Sequence, residues 1–373
     1  MKKILGTNTI GYNQNRNFAA LPYEKYRFEK KQNLHKIPAF LYNKLTNKTH
    51  QYYWNSYRDF DLNKVELFHF FNALSYGNKP WITTFETSIP RWGDKNIEKG
   101  LELIASNACK KIIALSNCAA NVQRMLVAES FPHYIDVIEE KLITLHPAQV
   151  CPPIKDIEKT ISDRLNFTIV GGDFFRKGGK EILIAFDRLY ERGIKDWNLN
   201  IVSRMEFGDY ASRSTTKDLE IARQIIDKYS NNITYKKFLP NKEVLNLFKN
   251  THIGLLPTYA DTYGYSVLEA QSYGCPVITT NIRALPEINN SDLGWVINVK
   301  KDDMGNAILN TEKDIKTFSD NLINELEDLL CSILNNSDSV INKGLKSYEK
   351  LEKSITYNTE FLEKIYDEIT ESN

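Results

Sequence analysis

The chain has 373 residues, of which 42% are hydrophobic and 25% charged, and its formal net charge is +1. This composition is typical of globular proteins and excludes disordered and fibrous classes, and the length predicts two domains. No segment approaches the roughly 20 apolar residues of a membrane-spanning helix, and the N-terminus lacks the apolar segment of a signal peptide, so we expect a cytoplasmic protein. The five cysteines are widely spaced without a CxxC pair, which indicates free thiols.

The near-neutral net charge hides two oppositely charged ends. Residues 1–64 contain twelve basic and four acidic residues, whereas residues 301–373 contain eight basic and sixteen acidic residues. Such asymmetry can indicate an anionic partner. Three hypotheses stay open for the basic end: it meets an anionic partner such as the inner membrane surface or a nucleic acid, it docks against the acidic C-terminal end, or it is an ordinary solvated surface. No regular elements are predicted over residues 10–64.

The first half of the chain predicts an α/β domain over residues 1–155. Short apolar runs separated by helical segments are its candidate strands: Glu66–Phe71, Trp81–Phe85, Lys111–Leu115 and Lys141–Leu145. A proline-rich segment, Cys151–Lys155, follows the last of them and breaks regular structure.

From about residue 165 the alternation of strands and helices is regular. The predicted strands are Phe167–Val170, Leu199–Ser203, Ile233–Phe238, Ile253–Leu256 and Val277–Thr280. Helical periodicity over segments such as Glu181–Arg192 and Lys242–Lys249 places helices between them, which predicts βαβ units and a buried parallel sheet over residues 156–350. A last helix, within residues 351–373, has an apolar stripe from Phe361 to Ile369 that needs an apolar surface to cover.

The segment Leu256–Thr280 carries the most chemical information. It begins at the end of a predicted strand, and ligands of open parallel sheets bind at the carboxyl ends of strands. A helix that begins near Tyr265 offers free amides, and Gly264 permits close approach of the backbone. Carboxylates at Asp261 and Glu269 can accept hydrogen bonds from sugar hydroxyls. Taken alone, the same pair also fits a solvated loop and a surface carboxylate.

In context this segment resembles the donor-binding signature of the family 4 type retaining glycosyltransferases of GT-B fold, also called glycosyl transferases group 1. Pro257, Gly264, Glu269-Ala270 and Gly274-Cys275-Pro276-Val277 follow the family frame without a gap. Asp261 stands where the family usually has glutamate, which shortens the side chain by one methylene and keeps its charge.

A second segment, Val170–Gly178, resembles the family loop V-G-R-L-x-x-x-K-G, which neutralises the donor diphosphate. Lys177 falls on the family lysine. Gly172 occupies the position of the usual arginine, and we expect Arg176 to supply the second cation. The alternative is that Arg176 and Lys177 form an exposed turn pair.

The resemblance in the first domain locates one further residue. Lys79–Thr87 resembles the family strand end K-P-x-V-x-T-x-H, with Glu86 in place of the histidine. Two interpretations stay open: Glu86 binds or deprotonates an acceptor hydroxyl, or it is a structural carboxylate. The six histidines show no metal-ligand spacing, and we expect His69 to be structural.

The resemblance implies two Rossmann-like domains facing a central cleft, with the C-terminal helix crossing back to the N-terminal domain. It implies a retaining, metal-independent hexosyltransferase that uses a nucleoside-diphosphate sugar, no other cofactor and no nucleic acid. The acceptor would be a glycan, a lipid-linked glycan or a protein in surface polysaccharide or glycoprotein synthesis.

The implied roles fall on three groups of residues. Asp261, Lys177 and Glu86 are the catalytic candidates. Glu269 would hold the ribose. The diphosphate would be held by Lys177, Arg176 and the amides of Gly264–Ser266. The remaining donor-loop candidates are Gly172, Tyr263, Gly264, Tyr265 and Ser266. A nucleotide-sugar epimerase of the same fold and a non-catalytic sugar-nucleotide or glycan-binding protein are the alternatives.

Overall fold

The computed structural model describes residues 2–48, 50–93, 96–161 and 163–371. The chain divides into two compact units. The first comprises Met1–Ala148 and Lys353–Asn373, and the second comprises Gln149–Glu352. Each unit has its own sheet and apolar core. Their division into an acceptor domain and a donor domain stays a prediction.

The strands and helices of the described residues are as follows. The strands are β1 Lys3–Thr7, β2 Tyr26–Lys30, β3 Ser56–Tyr57, β4 Leu67–Phe71, β5 Leu74–Ser75, β6 Trp81–Phe85, β7 Cys109–Ala114, β8 Leu142–Thr144, β9 Leu165–Val170, β10 Trp197–Val202, β11 Ile233–Lys236, β12 Ile253–Leu256, β13 Val277–Thr280 and β14 Trp295–Ile297. The α-helices are α1 Tyr12–Gln14, α2 Lys36–Thr46, α3 Gln51–Trp54, α4 Ile97–Ala105, α5 Asn117–Ser130, α6 Ile135–Lys141, α7 Gly179–Glu191, α8 Thr216–Lys228, α9 Asn241–Lys249, α10 Tyr265–Gln271, α11 Leu285–Ile288, α12 Glu312–Asn335, α13 Asp338–Glu352 and α14 Ser354–Glu371. A π-helix, Asn15–Ala19, continues α1, and 3₁₀ turns lie at Pro132–Tyr134 and Ile154–Asp156.

The first unit is built on a six-stranded parallel sheet of order β2-β1-β4-β6-β7-β8. Every residue of β4 and β6 is buried, as expected for a parallel sheet covered on both faces. The predicted strands at β4, β6, β7 and β8 are confirmed, to within two residues at their ends. Strands β1 and β2 were not predicted. Strand β2 is an edge strand whose charged residues interrupt the apolar pattern.

The second unit contains a parallel sheet of order β11-β10-β9-β12-β13-β14. This is the doubly wound order, in which the direction of winding reverses between the strands that come first and fourth along the chain. The reversal lies between β9 and β12, which are direct neighbours. Ligands of such sheets bind at the carboxyl ends of these two strands. The loops that follow β9 and β12 contain Lys177 and Asp261, so the fold places both at that point.

The last helix, α14, belongs to the first unit, in agreement with the predicted return of the C-terminal helix. Its residue Tyr366 is fully buried, and the Tyr366 hydroxyl lies 2.8 Å from Nδ1 of His69. Nε2 of His69 lies 2.8 Å from Oγ1 of Thr84. Burial lowers the pKa of His69 well below its usual value, so the ring is neutral. His69 is therefore a structural histidine with both ring nitrogens partnered, as predicted.

We expect Tyr366→Phe to destabilise the protein, because it leaves Nδ1 of the buried His69 without its partner. Leaving a buried polar atom unsatisfied costs about 1–3 kcal/mol of the free energy of unfolding. The measurement is urea unfolding followed by circular dichroism. The matched control is Tyr357→Phe on the same helix, where the tyrosine is 59% exposed and the change should be near zero. Equal unfolding midpoints for the two variants would contradict the assignment.

Candidate functional site

The loop after β9 runs from Gly171 to Gly178 and enters α7. Gly171 has a φ of +154°, and a Cβ atom there would lie 2.3 Å from Cδ and Cε of Lys177. The glycine therefore makes room for the lysine side chain, which folds back over the start of its own loop. A side chain at position 171 would collide with Lys177, so this position requires glycine for lack of space as well as for its backbone conformation.

The loop after β12 is bonded directly to the first loop. Oγ1 of Thr258 donates a 2.9 Å hydrogen bond to the carbonyl of Arg176, and the Tyr259 amide donates another of 2.9 Å to the same carbonyl. Thr258 is itself fixed, since its carbonyl accepts a 2.8 Å bond from Oγ1 of Thr280 at the end of β13. The two loops thus form one hydrogen-bonded unit at the carboxyl edge of the sheet.

Close contact between these loops requires glycine at position 178. Gly178 has a φ of +79°, and a Cβ atom there would lie 2.2 Å from the carbonyl oxygen of Pro257. We expect Gly178→Ala to lower the free energy of unfolding by more than the roughly 1–2 kcal/mol that the left-handed backbone alone costs an alanine. Gly193→Ala is the control, because Gly193 has a φ of +86° and open space around it. Thermal unfolding of both variants measures the difference, and equal losses would show that the loop contact contributes nothing.

Lys177 and Asp261 meet where the two loops join. Nζ of Lys177 lies 3.0 Å from Oδ2 of Asp261, and the two side chains are 14% and 15% exposed. Oδ1 of Asp261 accepts a 3.1 Å bond from the Gly264 amide. Burial alone would raise the pKa of Asp261, but the charge and hydrogen bond of Lys177, with smaller effects of Arg176 and backbone amides, lower it overall. Asp261 is therefore an ionised carboxylate at neutral pH.

Arg176 is the second cation of this cluster. Its Nε donates a 2.7 Å hydrogen bond to Oδ2 of Asp173, and its Nη1 donates to the carbonyl of Ala260. Its side chain is 20% exposed. The alternative of an exposed turn pair is therefore wrong for Arg176 and Lys177. Arg176 ties the two loops together and brings a second positive charge next to the ion pair of Lys177 and Asp261.

Glu269 lies on α10 and is buried, with 6% of its surface exposed. Its Oε1 accepts a 3.3 Å hydrogen bond from Nδ2 of Asn241, the first residue of α9. The alternative of a surface carboxylate is therefore wrong. Asn241 was missed by the sequence analysis, since its partner lies 28 positions away and no motif marks it. The only feature of the sequence that points to Asn241 is its position at the start of a predicted helix, directly after Pro240.

The start of α10 carries the remaining donor-loop candidates. Gly264 has a φ of +94°, and a Cβ atom there would lie 2.5 Å from Cδ2 of Leu285, so glycine is required. The Tyr263 and Tyr265 rings lie 5.3 Å apart, and Tyr263 is buried. Oγ of Ser266 is buried without a hydrogen-bond partner among the described residues. The Gly264 amide was expected to be free for a diphosphate, and it is instead bonded to Asp261.

Gly172 differs from the other motif glycines. A Cβ atom there would approach nothing nearer than Oε2 of Glu206, at 3.8 Å. Its carbonyl accepts a 3.1 Å bond from Oγ of Ser203, at the end of β10. The backbone therefore does not demand glycine at this position, and the space for a side chain is present where the family usually has arginine.

Glu86 follows β6 in the first unit. Its Oε2 lies 2.8 Å from Nη1 of Arg91, and its amide donates a 3.2 Å bond to Oδ1 of Asn72. Its side chain is 16% exposed. This ion pair gives Glu86 a structural role, whereas its role toward an acceptor stays a prediction.

The first unit also contains a cavity of about 390 Å³. It is lined by the residues after β1 and by residues of α2 and α3, among them Asn8, Phe40, His50 and Trp54. None of the predicted site residues lines it.

Three further features bear on the sequence expectations. All five cysteines are free thiols. In the part of the chain that the structure describes, no three His, Cys, Asp or Glu side chains are grouped as metal ligands. No helix among the described residues combines the length and apolarity that crossing a membrane requires.

Comparisons with known proteins bear on the family and on the fold. Residues 153–325 match the family described as Glycosyl transferases group 1. A glycosyltransferase structure from Rickettsia africae is 15% identical, with a TM-score of 0.57 over 93% of this chain and 86% of that chain. The structure of Anabaena HepE in complex with UDP is 11% identical, with a TM-score of 0.60 over 98% of this chain and 100% of that chain. These likenesses show the GT-B fold.

One curated relative is matched over a shorter segment. It is an uncharacterized 41.2 kDa protein in the cps region of Klebsiella pneumoniae, 29% identical over 104 residues. The match spans 28% of this chain and 28% of the length of that relative.

Proposed function

We propose that this chain, whose residues 153–325 are a glycosyl transferases group 1 domain, is a retaining hexosyltransferase that uses a nucleoside-diphosphate sugar. The observation that carries the proposal is the contact of 3.0 Å between Nζ of Lys177 and Oδ2 of Asp261 at the carboxyl edge of the sheet. In a sugar nucleotide the sugar is bonded directly to a phosphate. An ammonium and a carboxylate side by side therefore match the two adjacent parts of the donor, with phosphate at Lys177 and sugar hydroxyls at Asp261.

The chemistry of transfer explains why two cations lie here. When the acceptor oxygen bonds to the anomeric carbon, the bond from that carbon to the phosphate oxygen breaks, and the nucleoside diphosphate leaves with added negative charge. Lys177 and Arg176 stabilise this charge electrostatically, which is the role a divalent metal has in other transferases. Asp261, held ionised by Lys177, faces the positive charge that develops on the sugar.

Retention follows from front-face transfer, the mechanism that the family resemblance implies. In that mechanism the leaving phosphate oxygen takes the acceptor proton, and no enzyme nucleophile is required. The proposal therefore assigns no covalent role to Asp261 or Glu86. Glu86 would bind the acceptor hydroxyl.

The donor and the biological setting are supported by relatives. HepE has been solved in complexes with UDP and with UDP-glucose, which supports a nucleotide-sugar donor for this chain. The relative in a cps region supports a role in surface polysaccharide synthesis, with a glycan or lipid-linked acceptor. We propose the nucleotide-sugar donor, the role in surface polysaccharide synthesis and a cytoplasmic location together.

The experiment that tests the proposal is incubation of the purified full chain with a panel of nucleotide sugars, with and without glycan or polyprenyl-phosphate-linked acceptors. We expect one donor to release nucleoside diphosphate in an acceptor-dependent way, with the anomeric configuration of the donor retained in the product. Interconversion of the donor sugar without an acceptor would identify an epimerase. Donor binding without any product would identify a binding protein, and either result would overturn the proposal.

Glu269 provides a separate test of donor recognition. We expect Glu269→Gln to raise the KM for the donor about tenfold with a smaller effect on kcat, because a neutral amide holds a ribose diol less strongly than a carboxylate. Steady-state kinetics measure the two constants separately. The control is Glu220→Gln, an exposed glutamate on α8, which should behave as wild type. A fall in kcat at unchanged KM would contradict the assignment of Glu269 to the ribose.

A further inference from the structure

Helix α2, Lys36–Thr46, is unusual in that none of its residues is buried. Ala39 and Tyr42 are half-buried and mark its inner side. Its outer side carries large apolar residues: Ile37 is 60% exposed, Phe40 67%, Leu41 51% and Leu45 84%. Positions 37, 41 and 45 are four residues apart, so they form one continuous stripe. Exposed apolar groups that are contiguous in this way indicate an interaction surface.

The same region is strongly basic. Residues 30–58 contain six Lys and Arg residues and no Asp or Glu. Lys36, Lys44 and Lys48 are exposed, and none of them forms an ion pair with a described residue. The lysines of α2 lie on the outer side among the apolar residues.

Helix α14, the acidic segment that belongs to the first unit, makes no ion pair with Lys36, Lys44 or Lys48 among the described residues. Helix α14 instead reaches the edge of the sheet, where Asp367 lies 2.5 Å from Nζ of Lys25 and Oε1 of Glu363 accepts bonds from the amides of Glu24 and Lys25. Lys25 is therefore paired with α14, whereas Lys36, Lys44 and Lys48 have no ion-pair partner among the described residues.

An exposed tryptophan extends the apolar stripe. Trp54, at the end of α3, is 61% exposed and lines the same cavity as Phe40. The Tyr42 and Tyr53 rings lie 5.6 Å apart and hold α3 against α2. Tryptophan has an apolar body and a polar N–H group, which suits the boundary between lipid headgroups and acyl chains.

We propose that Ile37, Phe40, Leu41, Leu45 and Trp54, together with Lys36 and Lys44, form a membrane-docking surface, the α2 surface, that lies in the headgroup region of an anionic membrane. A helix in this position buries its apolar side chains among the upper acyl chains. Its lysines extend to the anionic headgroups with their alkyl stems on the apolar side. A second copy of this chain is a poorer occupant, because pairing two α2 surfaces brings uncompensated lysines together.

Co-sedimentation of the full chain with vesicles tests this proposal. The vesicles are pure phosphatidylcholine, or phosphatidylcholine with about one third phosphatidylglycerol. We expect binding to the anionic vesicles to exceed binding to neutral ones at least tenfold at low salt and to fall as salt screens the charges. Phe40→Ser/Leu45→Ser is expected to lower the partition coefficient at least tenfold, because it removes two large apolar groups from the interface. Lys36→Glu/Lys44→Glu is expected to remove the preference for anionic lipid.

The control variant is Ile341→Ser/Leu345→Ser on α13 in the second unit, where the two side chains are 40% and 39% exposed. It should bind vesicles as wild type does. Circular dichroism and thermal unfolding show that each variant is folded. Equal binding of the wild type to both vesicle types, or unchanged binding of Phe40→Ser/Leu45→Ser, would overturn the proposal. A wild-type dimer that this variant abolishes, seen by sedimentation without lipid, would also overturn it.

The proposal does not depend on transferase activity. The vesicle assay contains no donor, so loss of binding and loss of transfer are measured independently.

Discussion

Lys177→Met is expected to lower kcat for sugar transfer about a hundredfold to a thousandfold, the usual effect of removing one preorganised electrostatic contact to a transition state. The leaving nucleoside diphosphate gains charge as its bond to the sugar breaks, and Lys177 is the ammonium beside Asp261 at the carboxyl edge of the sheet. Methionine preserves most of the side-chain stem that packs over Gly171 and removes only the charge. Under the proposed mechanism the effect falls on kcat more than on the KM for the donor.

The same variant removes the partner of a mostly buried carboxylate, so stability must be measured beside activity. Breaking such a pair typically destabilises a protein, but Arg176 and the Gly264 amide remain near Asp261. We expect the variant to stay folded with a lower melting temperature. Steady-state kinetics at a temperature well below that melting point separate the chemical effect from unfolding.

Lys217→Met is the matched control, because Lys217 is an exposed lysine of the same unit on α8. It should show wild-type kinetics. Lys177→Met with more than a tenth of the wild-type kcat would show that Lys177 does not stabilise the leaving group.

The second unit was largely predictable because its short parallel strands alternate with helices along the chain. In an open parallel sheet the loops after neighbouring strands meet at one edge, so Lys177 and Asp261 could be expected close together although 84 positions separate them. The sequence did not predict that the Gly264 amide is engaged by Asp261, since both a free and a capped helix start fit the same motif. Nor did it predict Asn241 beside Glu269, because this contact joins two helices whose packing no local pattern records.

The first unit was less predictable for a physical reason. Strand β1 contains only two large apolar residues, Ile4 and Leu5, and β2 is an edge strand whose charged residues interrupt the apolar pattern, so the apolar run that marks a buried strand is missing from both. Composition likewise gave only the sum of the N-terminal charge. The position of α14 was needed to show that Lys25 pairs with Asp367 whereas the lysines around α2 do not.

Asp261→Asn is expected to lower kcat/KM about a hundredfold, because an amide cannot offer negative charge to the sugar as positive charge develops on it. The amide preserves the size of the side chain and its capacity to accept the bond from the Gly264 amide. Asp261→Glu, which restores the residue usual in the family, keeps the charge and should retain more activity than Asp261→Asn. If Asp261→Asn transferred sugar as fast as wild type, the assignment of Asp261 to the donor sugar would be wrong.

The pH dependence of stability gives Asp261 an independent signature. Its pKa is lowered in the folded protein, so the ionised carboxylate stabilises the fold above the unfolded-state pKa of about 4. That contribution is lost as the pH falls through the folded-state pKa. The difference in free energy of unfolding between wild type and Asp261→Asn should therefore be constant from about pH 5 to 8 and shrink below about pH 4. Urea unfolding across this range measures it, with Asp320→Asn, at an exposed aspartate on α12, as the matched control. A difference that grew on acidification would mean that burial, rather than Lys177, dominates the ionisation of Asp261.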